Sequence, residues 1–445
     1  MRWACIDPRL IDTKLWDARS CEPLGELAEN KIVQYAPVPI YAYPMNEDVL
    51  LFEGLKVLDV GSWIAAPVAA TMLADRGAEV LKIEVPVAGD GYRNYALLPV
   101  SPNADTNYTW AMDARNKRSL ALNLKTPEGM EILKQLIQDC DIYITNQPLP
   151  LRRELGLNYQ DIRSLNENMI YASLTPYGEE GPDRDREAFD LVAYWNKSGM
   201  MNHMRHEGIE PVQAIAGMGD HPTAVAMYAS IVTALLQRER TGKGTMVHTS
   251  LLANGVWSAS CLVQAQLAKA DFSAMFGARL TSALFETSDH RWLQLTMMRT
   301  DEDFDRLLVV MEMFEILASG KFSTLEQRFL HAEELTQLLR DQLRTRTAQE
   351  WLNLLRDEHD LPIELVSEFR ELNENPHLEL NDMIASPVDD IGIKRIINDP
   401  VNVRGVARIG AKKAPDIGEH SGAVLSELGY DEVTINSLRD KGVIS

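Results

Sequence analysis

Hydrophobic positions along this chain fall first into short blocks and later into helical stripes. Lys56–Val60 (KVLDV) is a brief apolar run closed by Gly61, and an apolar-rich helix is predicted from about Pro67 to Arg76. Glu79–Ile83 (EVLKI) is the next strand, ended by Pro86, Gly89 and Gly91. Thr126-Pro127-Glu128 opens a helix, with threonine suited to the N-cap and proline to the first turn. That helix carries Ile132, Leu133, Leu136 and Ile137 on one stripe. Asp141–Thr145 and Met169–Leu174 read as further strands, with a short helix around Asp161–Leu165 between them. Strand and helix in this alternation predict parallel βαβ units and an α/β sheet.

After Asp220 the pattern changes. Ala224–Leu236 is almost wholly apolar, which predicts a buried rather than an amphipathic helix, ended by Thr241-Gly242-Lys243-Gly244. Met246–Leu252 suits either a strand or a helix start, residues 300–375 read as helical, and a final helix over Ser421–Leu428 stops at Gly429. The first fifty residues mix proline, tyrosine and acids without periodicity and read as an extension.

With 445 residues, 45% hydrophobic and 24% charged, the chain has the composition of an ordinary globular protein of about two domains. Four scattered cysteines form neither a metal-ligand spacing nor a disulfide framework. No stretch approaches the roughly 20 apolar residues needed to span a bilayer, and no apolar signal core follows Met1, so a cytoplasmic protein without membrane association is expected. A net charge of −21 argues against nucleic-acid partners. It leaves room for a local basic excess, and Arg115, Lys117, Arg118 and Lys125 provide one; alone it reads as a solvated face.

Several apparent motifs lack the chemistry they suggest. Lys243 in TGKG has no phosphate-loop context, and His221-Pro222 falls where Gly217-Met218-Gly219 would need a third glycine to hold a dinucleotide. His203, His206 and His248 lie outside any HExxH arrangement, and Ser173 and Ser250 lack a GxSxG elbow. Neither a metal nor a permanently bound cofactor is expected. Asp220, just ahead of a long helix, reads on spacing alone as an N-cap accepting bonds from free amides.

A set of ordered stretches goes further. Gly54–Pro67 (GLKVLDVGSWIAAP) is followed by Leu73–Val80 and Lys82-Ile83-Glu84, then by Asn116–Gly129 (NKRSLALNLKTPEG), Asn146–Gly156 and Ile170–Ser173. Gly219-Asp220 comes next, then Leu235–Gly244, Ala414–His420 and Leu425–Gly429. Together they resemble the class III CoA-transferase family, which includes formyl-CoA and carnitine CoA-transferases and is related to α-methylacyl-CoA racemases.

The resemblance implies a Rossmann-like parallel sheet in a large domain (51–255), completed by a C-terminal segment (385–445). It also implies a smaller α+β domain (270–380) and an interlocked homodimer. It assigns Asp220 as the nucleophile that attacks an acyl-CoA thioester, with Asp190 as a supporting acid. Coenzyme A and acyl-CoA are then substrates, with a small carboxylic acid as acceptor. Trp63, Ile64, Ala65, Leu122, Lys125 and Asn146 match CoA-contacting positions, and Arg152 or Arg153 stands in for the arginine that family members often carry at Glu154. The glycine-rich loop that covers the intermediate in formyl-CoA transferase is not visible near Phe272–Asp289, which offers only Gly277. The alternatives are a racemase, an intramolecular CoA transfer and a non-catalytic acyl-CoA-binding scaffold. Racemases of the family place a histidine immediately before the acid matching Asp190, and Phe189 here cannot move a proton.

Overall fold

The computed structural model describes residues 49–99, 101–205, 208–272, 283–295, 298 and 300–445. The N-terminal extension and Gly277 thus lie essentially outside the described residues. Six parallel strands form the central sheet in the order β3-β2-β1-β4-β5-β6. They are β1 (Lys56–Asp59), β2 (Glu79–Glu84), β3 (Arg118–Ala121), β4 (Ile142–Thr145), β5 (Ile170–Thr175) and β6 (Met246–Ser250). β1 pairs with β2 on one side and β4 on the other, so the strand order reverses there. Such a reversal opens a crevice at the carboxyl ends of the strands.

Two apolar cores cover the sheet. One joins the helices Ala65–Ala74 and Asp220–Thr241 to Ile142, Ile144 and Ala172. The other joins the helix Pro127–Gln138 to Tyr143, Tyr171 and the C-terminal residues Val424, Leu425, Ile435, Leu438, Val443 and Ile444. A third core, around Phe285, Phe304, Leu335, Leu339 and Trp351, lies under a three-stranded antiparallel sheet formed by β7 (Leu284–Glu286), β8 (Trp292–Leu295) and β9 (Ile363–Leu365). The described residues belong to one compact unit, and no helix among them is long and apolar enough to cross a membrane.

Three differences from the sequence reading have local causes. β3 is an extra strand: it begins with Arg118 and Ser119, and the buried Ser119 hydroxyl is satisfied by Glu84 (2.6 Å) rather than by an apolar neighbour. The helix Asp220–Thr241 buries one stripe (Thr223, Ala224, Met227, Tyr228, Ile231, Ala234) and leaves Leu236 on an open face. Ser421–Glu427 is followed by another helix, Glu432–Asp440, whose N-cap Asp431 accepts from the Thr434 amide (2.8 Å).

Only part of the basic run is a solvated face. Arg115 is buried against Asp75 (2.7 Å) and Lys117 against Asp59 (2.9 Å), while Arg118 pairs with Glu427 at the surface (2.7 Å). Buried charges of this kind persist only when paired, and their partners lie on other strands or helices, which spacing alone does not reveal.

Candidate active site

Asp220 is the first residue of its helix, and Gly219 holds the N-cap position. No side-chain capping bond is made, so the expected cap role is corrected. Among the described residues its carboxylate has no hydrogen-bond partner. Burial and the neighbouring Asp190 push it up to about 7, with His221 acting in the opposite sense. The helix N-terminus therefore does not by itself keep this acid far below neutral.

The turn before Asp220 depends on its glycines. Gly217 has φ +88°, a conformation open chiefly to glycine. A Cβ on Gly219 would lie 2.6 Å from Cγ of Tyr194, so the turn sits directly on that ring. Asp190, only 2% exposed, caps the turn Leu191–Asn196 and accepts the Leu191 amide (2.8 Å). Its other oxygen accepts the amides of Gly217 (2.9 Å) and Gly219 (3.0 Å). A sequence-expected supporting acid thus binds the backbone that presents Asp220.

The loop after β1 forms the opposite wall. Asn146, at the end of β4, accepts the Ser62 amide (2.8 Å) and donates to the Ser62 carbonyl (2.7 Å), clasping the two sides of the crevice. Trp63 sits at φ +67°, a strained conformation costing about 1–3 kcal/mol. Asp90 holds it there by accepting the Trp63 amide, the Ser62 hydroxyl and the Tyr92 amide, each at 2.9 Å. Lys82 in turn anchors Asp90 at 2.7 Å and donates to the Gly61 carbonyl at 3.0 Å. Burial disfavours the Asp90 charge, but Lys82 and these donors hold the carboxyl below its ordinary range.

Between these walls lies a cleft of about 590 Å³. Trp63, Ile64, Ala65, Asn146, Asp190 and Asp220 all line it, joined by Tyr95, Leu98, Leu191 and Leu251. Phe189 is 59% exposed into it and meets Trp63 edge-to-face, with centroids 5.0 Å apart. The other expected CoA contacts lie apart. Leu122 is buried in the second core and its amide bonds Glu84; Lys125 is exposed beside the helix Pro127–Gln138. Arg152 is buried and bonds the Gln147 carbonyl (2.6 Å), the Ser173 hydroxyl (2.6 Å) and Glu179. Arg153 is exposed and pairs with Asp185 (2.9 Å), a cleft residue.

Sequence reasoning missed the neighbours that surround Asp220. His221 had registered only as the residue blocking a glycine motif. Its Nδ1 lies 3.1 Å from the Gly217 carbonyl and its Nε2 3.4 Å from Asp113, which also accepts the Tyr92 hydroxyl (2.6 Å). Tyr95, with its phenol near Asp190 and Asp220, was missed as well; burial and these acids raise its pKa. Adjacency to Asp220 was the only available signal for His221, and neither Asp113 nor Tyr95 offered one.

The chain is 31% identical to (R)-2-hydroxy-4-methylpentanoate CoA-transferase of Clostridioides difficile, over 89% of this chain and all of that protein. It is 28% identical to cinnamoyl-CoA:phenyllactate CoA-transferase of Clostridium sporogenes, over 90% of this chain and 99% of that one. The crystal structure of Rv3272 from M. tuberculosis superposes with a TM-score of 0.73 at 25% identity, covering 85% of this chain and all of that one. The model of CoA-transferase family III matches residues 52–421. With a parallel sheet that opens at the β1/β4 crevice and relatives that are CoA-transferases along nearly its whole length, this chain belongs to CoA-transferase family III and is an enzyme of that family.

Proposed function

We propose that the chain moves coenzyme A from an acyl-CoA to a free carboxylic acid, with Asp220 as covalent nucleophile. The observation that carries this is the unbonded Asp220 carboxylate, lining a largely apolar cleft and poised near neutrality. An Asp220 oxygen attacks the thioester carbonyl carbon, the C–S bond breaks, and the CoA thiolate leaves behind a mixed anhydride. The thiolate then attacks the aspartyl carbonyl and releases the first acid as its carboxylate. The acceptor carboxylate attacks this aspartyl thioester and expels the thiolate again. Attack of that thiolate on the acceptor acyl carbon restores Asp220. Charge is conserved at each step, and no metal or redox group takes part.

Pantetheine is suited to the loop Trp63–Ala65 beside Asn146. Of the two adjacent arginines, Arg153 has the accessible guanidinium for a CoA phosphate, while Arg152 is committed to internal partners. The aromatic wall of Trp63 and Phe189 favours branched or aromatic acyl groups, in line with the acids named for the two clostridial relatives. The same wall disfavours a racemase, because Phe189 carries no proton to exchange. A homodimer fits the apolar side chains left open on the helices Asp220–Thr241, Leu251–Ser258 and Ser260–Leu267.

The test is isotopic CoA exchange followed by mass spectrometry. Donors are 4-methylpentanoyl-CoA, cinnamoyl-CoA and succinyl-CoA; acceptors are the free acids. Exchange with at least one pair is expected, together with a hydroxylamine-sensitive CoA adduct on Asp220. Asp220→Asn is expected to lower exchange at least a thousandfold. Exchange that survives the substitution removes Asp220 from the mechanism.

A further inference from the structure

The turn that presents Asp220 is pinned from two sides. Asp190 takes the Gly217 and Gly219 amides, and His221 meets the Gly217 carbonyl. His221 also reaches across to Asp113, the last residue of the helix Tyr108–Asp113. Asp113 is 4% exposed and is fixed by the Tyr92 hydroxyl on its second oxygen. A buried aspartate with both oxygens engaged favours a cation on its open side. We infer that His221, clamped between the Gly217 carbonyl and Asp113, is a positioning residue that holds a positive charge beside Asp220 and favours the anionic form of the nucleophile. This rests on the reading of Asp220 as nucleophile.

The surroundings leave this task to His221. Of the charged groups acting on Asp220 among the described residues, Asp190 and Asp113 are acids, and His221 is the base. The turn Gly91–Leu97 contributes the phenols Tyr92 and Tyr95, while its cation, Arg93, is engaged by Glu84 (2.7 Å) and lies over the Trp110 ring. The helix Ala65–Ala74, packed along the helix of Asp220, contains no charged residue. Burial alone would weaken the imidazolium, but Asp113, the Gly217 carbonyl and Asp220 outweigh it and lift its pKa to about 9. This one opposing charge among the groups acting on Asp220 limits how far burial and the neighbouring acids raise its carboxyl.

The test reads the titration of Asp220 without needing a substrate. In the folded protein Asp220 titrates near 7, against about 3.9 in an unfolded chain. The folded state therefore binds this proton more tightly, and stability falls as pH rises from about 4 to about 7. Asp220→Asn lacks that loss. The melting temperature of Asp220→Asn minus that of wild type should climb with pH and level off above about 7. In a His221→Gln background the same difference should level off about one pH unit higher, a tenfold change in proton affinity. His221→Lys, which keeps the charge, should restore the original midpoint. His221→Asn, able to reach the Gly217 carbonyl, serves if the glutamine variant does not fold. An unchanged midpoint in the neutral variants overturns the proposal. Loss of exchange in Asp220→Asn tests the nucleophile separately, so the two can fail independently.

Discussion

A methyl group added to Gly219 would have nowhere to go. Its position lies 2.6 Å from Cγ and 2.8 Å from Cδ1 of Tyr194, well inside contact distance, and Tyr194 is buried between Ala193 and Trp195. Gly219→Ala must therefore displace the ring or the turn, at about 1–3 kcal/mol by the usual cost of overpacking. Because Asp190 reads the amides of that turn, any displacement also moves Asp220. We expect exchange to fall at least tenfold with the fold retained, measured as kcat/KM beside the melting temperature. Full activity in Gly219→Ala would mean that the close approach has no bearing on the nucleophile. Gly-Asp before a long helix was legible in the sequence, but as a cap. The difference between a capping acid and one free of capping bonds lies in which residue occupies the N-cap, and Gly219 takes it.

Among the elements, the strands β1, β2, β4 and β5 were legible because their apolar blocks are bounded by glycine, proline and polar turns. β3 was not, since a strand whose hydroxyl is satisfied by a neighbouring strand and whose charge is satisfied by a distant helix looks polar in sequence. The same satisfaction supports the site. Lys82 on β2 is fully buried, ties Asp90 to the Gly61 carbonyl and lies 3.7 Å from Asp59. Burial alone would discharge it, yet Asp59, Asp90 and Glu84 together hold its pKa above the ordinary lysine value. Lys82→Met would leave Asp90 facing an apolar interior without its cation. A loss of about 3–5 kcal/mol in denaturant unfolding is expected, as for other broken buried pairs. The loop Ser62–Trp63 should loosen, with a rise in KM for acyl-CoA larger than the fall in kcat. A purely stabilising role for Lys82 would leave KM where it was.

At the scale of the molecule, the parallel sheet followed from the alternation of strands and helices, whereas the crevice that holds the site depends on strand order. Strand order is set by pairings between distant segments, such as β1 with β4, and no local pattern records it. The same holds for the internal ion pairs, which remove Arg115 and Lys117 from a stretch that looked like a free basic surface. The open apolar faces carry a further expectation. Trp257 is 76% exposed, Leu267 71% and Leu236 54%, on three helices that follow one another in the chain. If they form the contact between two copies, Trp257→Asp should shift the mass seen by light scattering at micromolar concentration from two chains towards one. An unchanged dimer would move the interface elsewhere.

The C-terminal part of the chain reaches back to the site it follows. The Pro415 carbonyl accepts from Arg93 (3.0 Å) and from the Trp110 indole (3.3 Å). Arg93 belongs to the turn that carries Tyr95 into the cleft and also grips Glu84 at the end of β2. Farther on, the Val443 carbonyl accepts the Asn123 amide (2.8 Å) next to β3. A ribosome making this protein must therefore translate more than three hundred residues beyond Arg93 before that wall acquires its last partners. Nascent chains stalled upstream of Pro415 would display Asp220 in a cleft with an unfinished rim. Completion of this wall is thereby tied by topology to the last part of the chain to be synthesised.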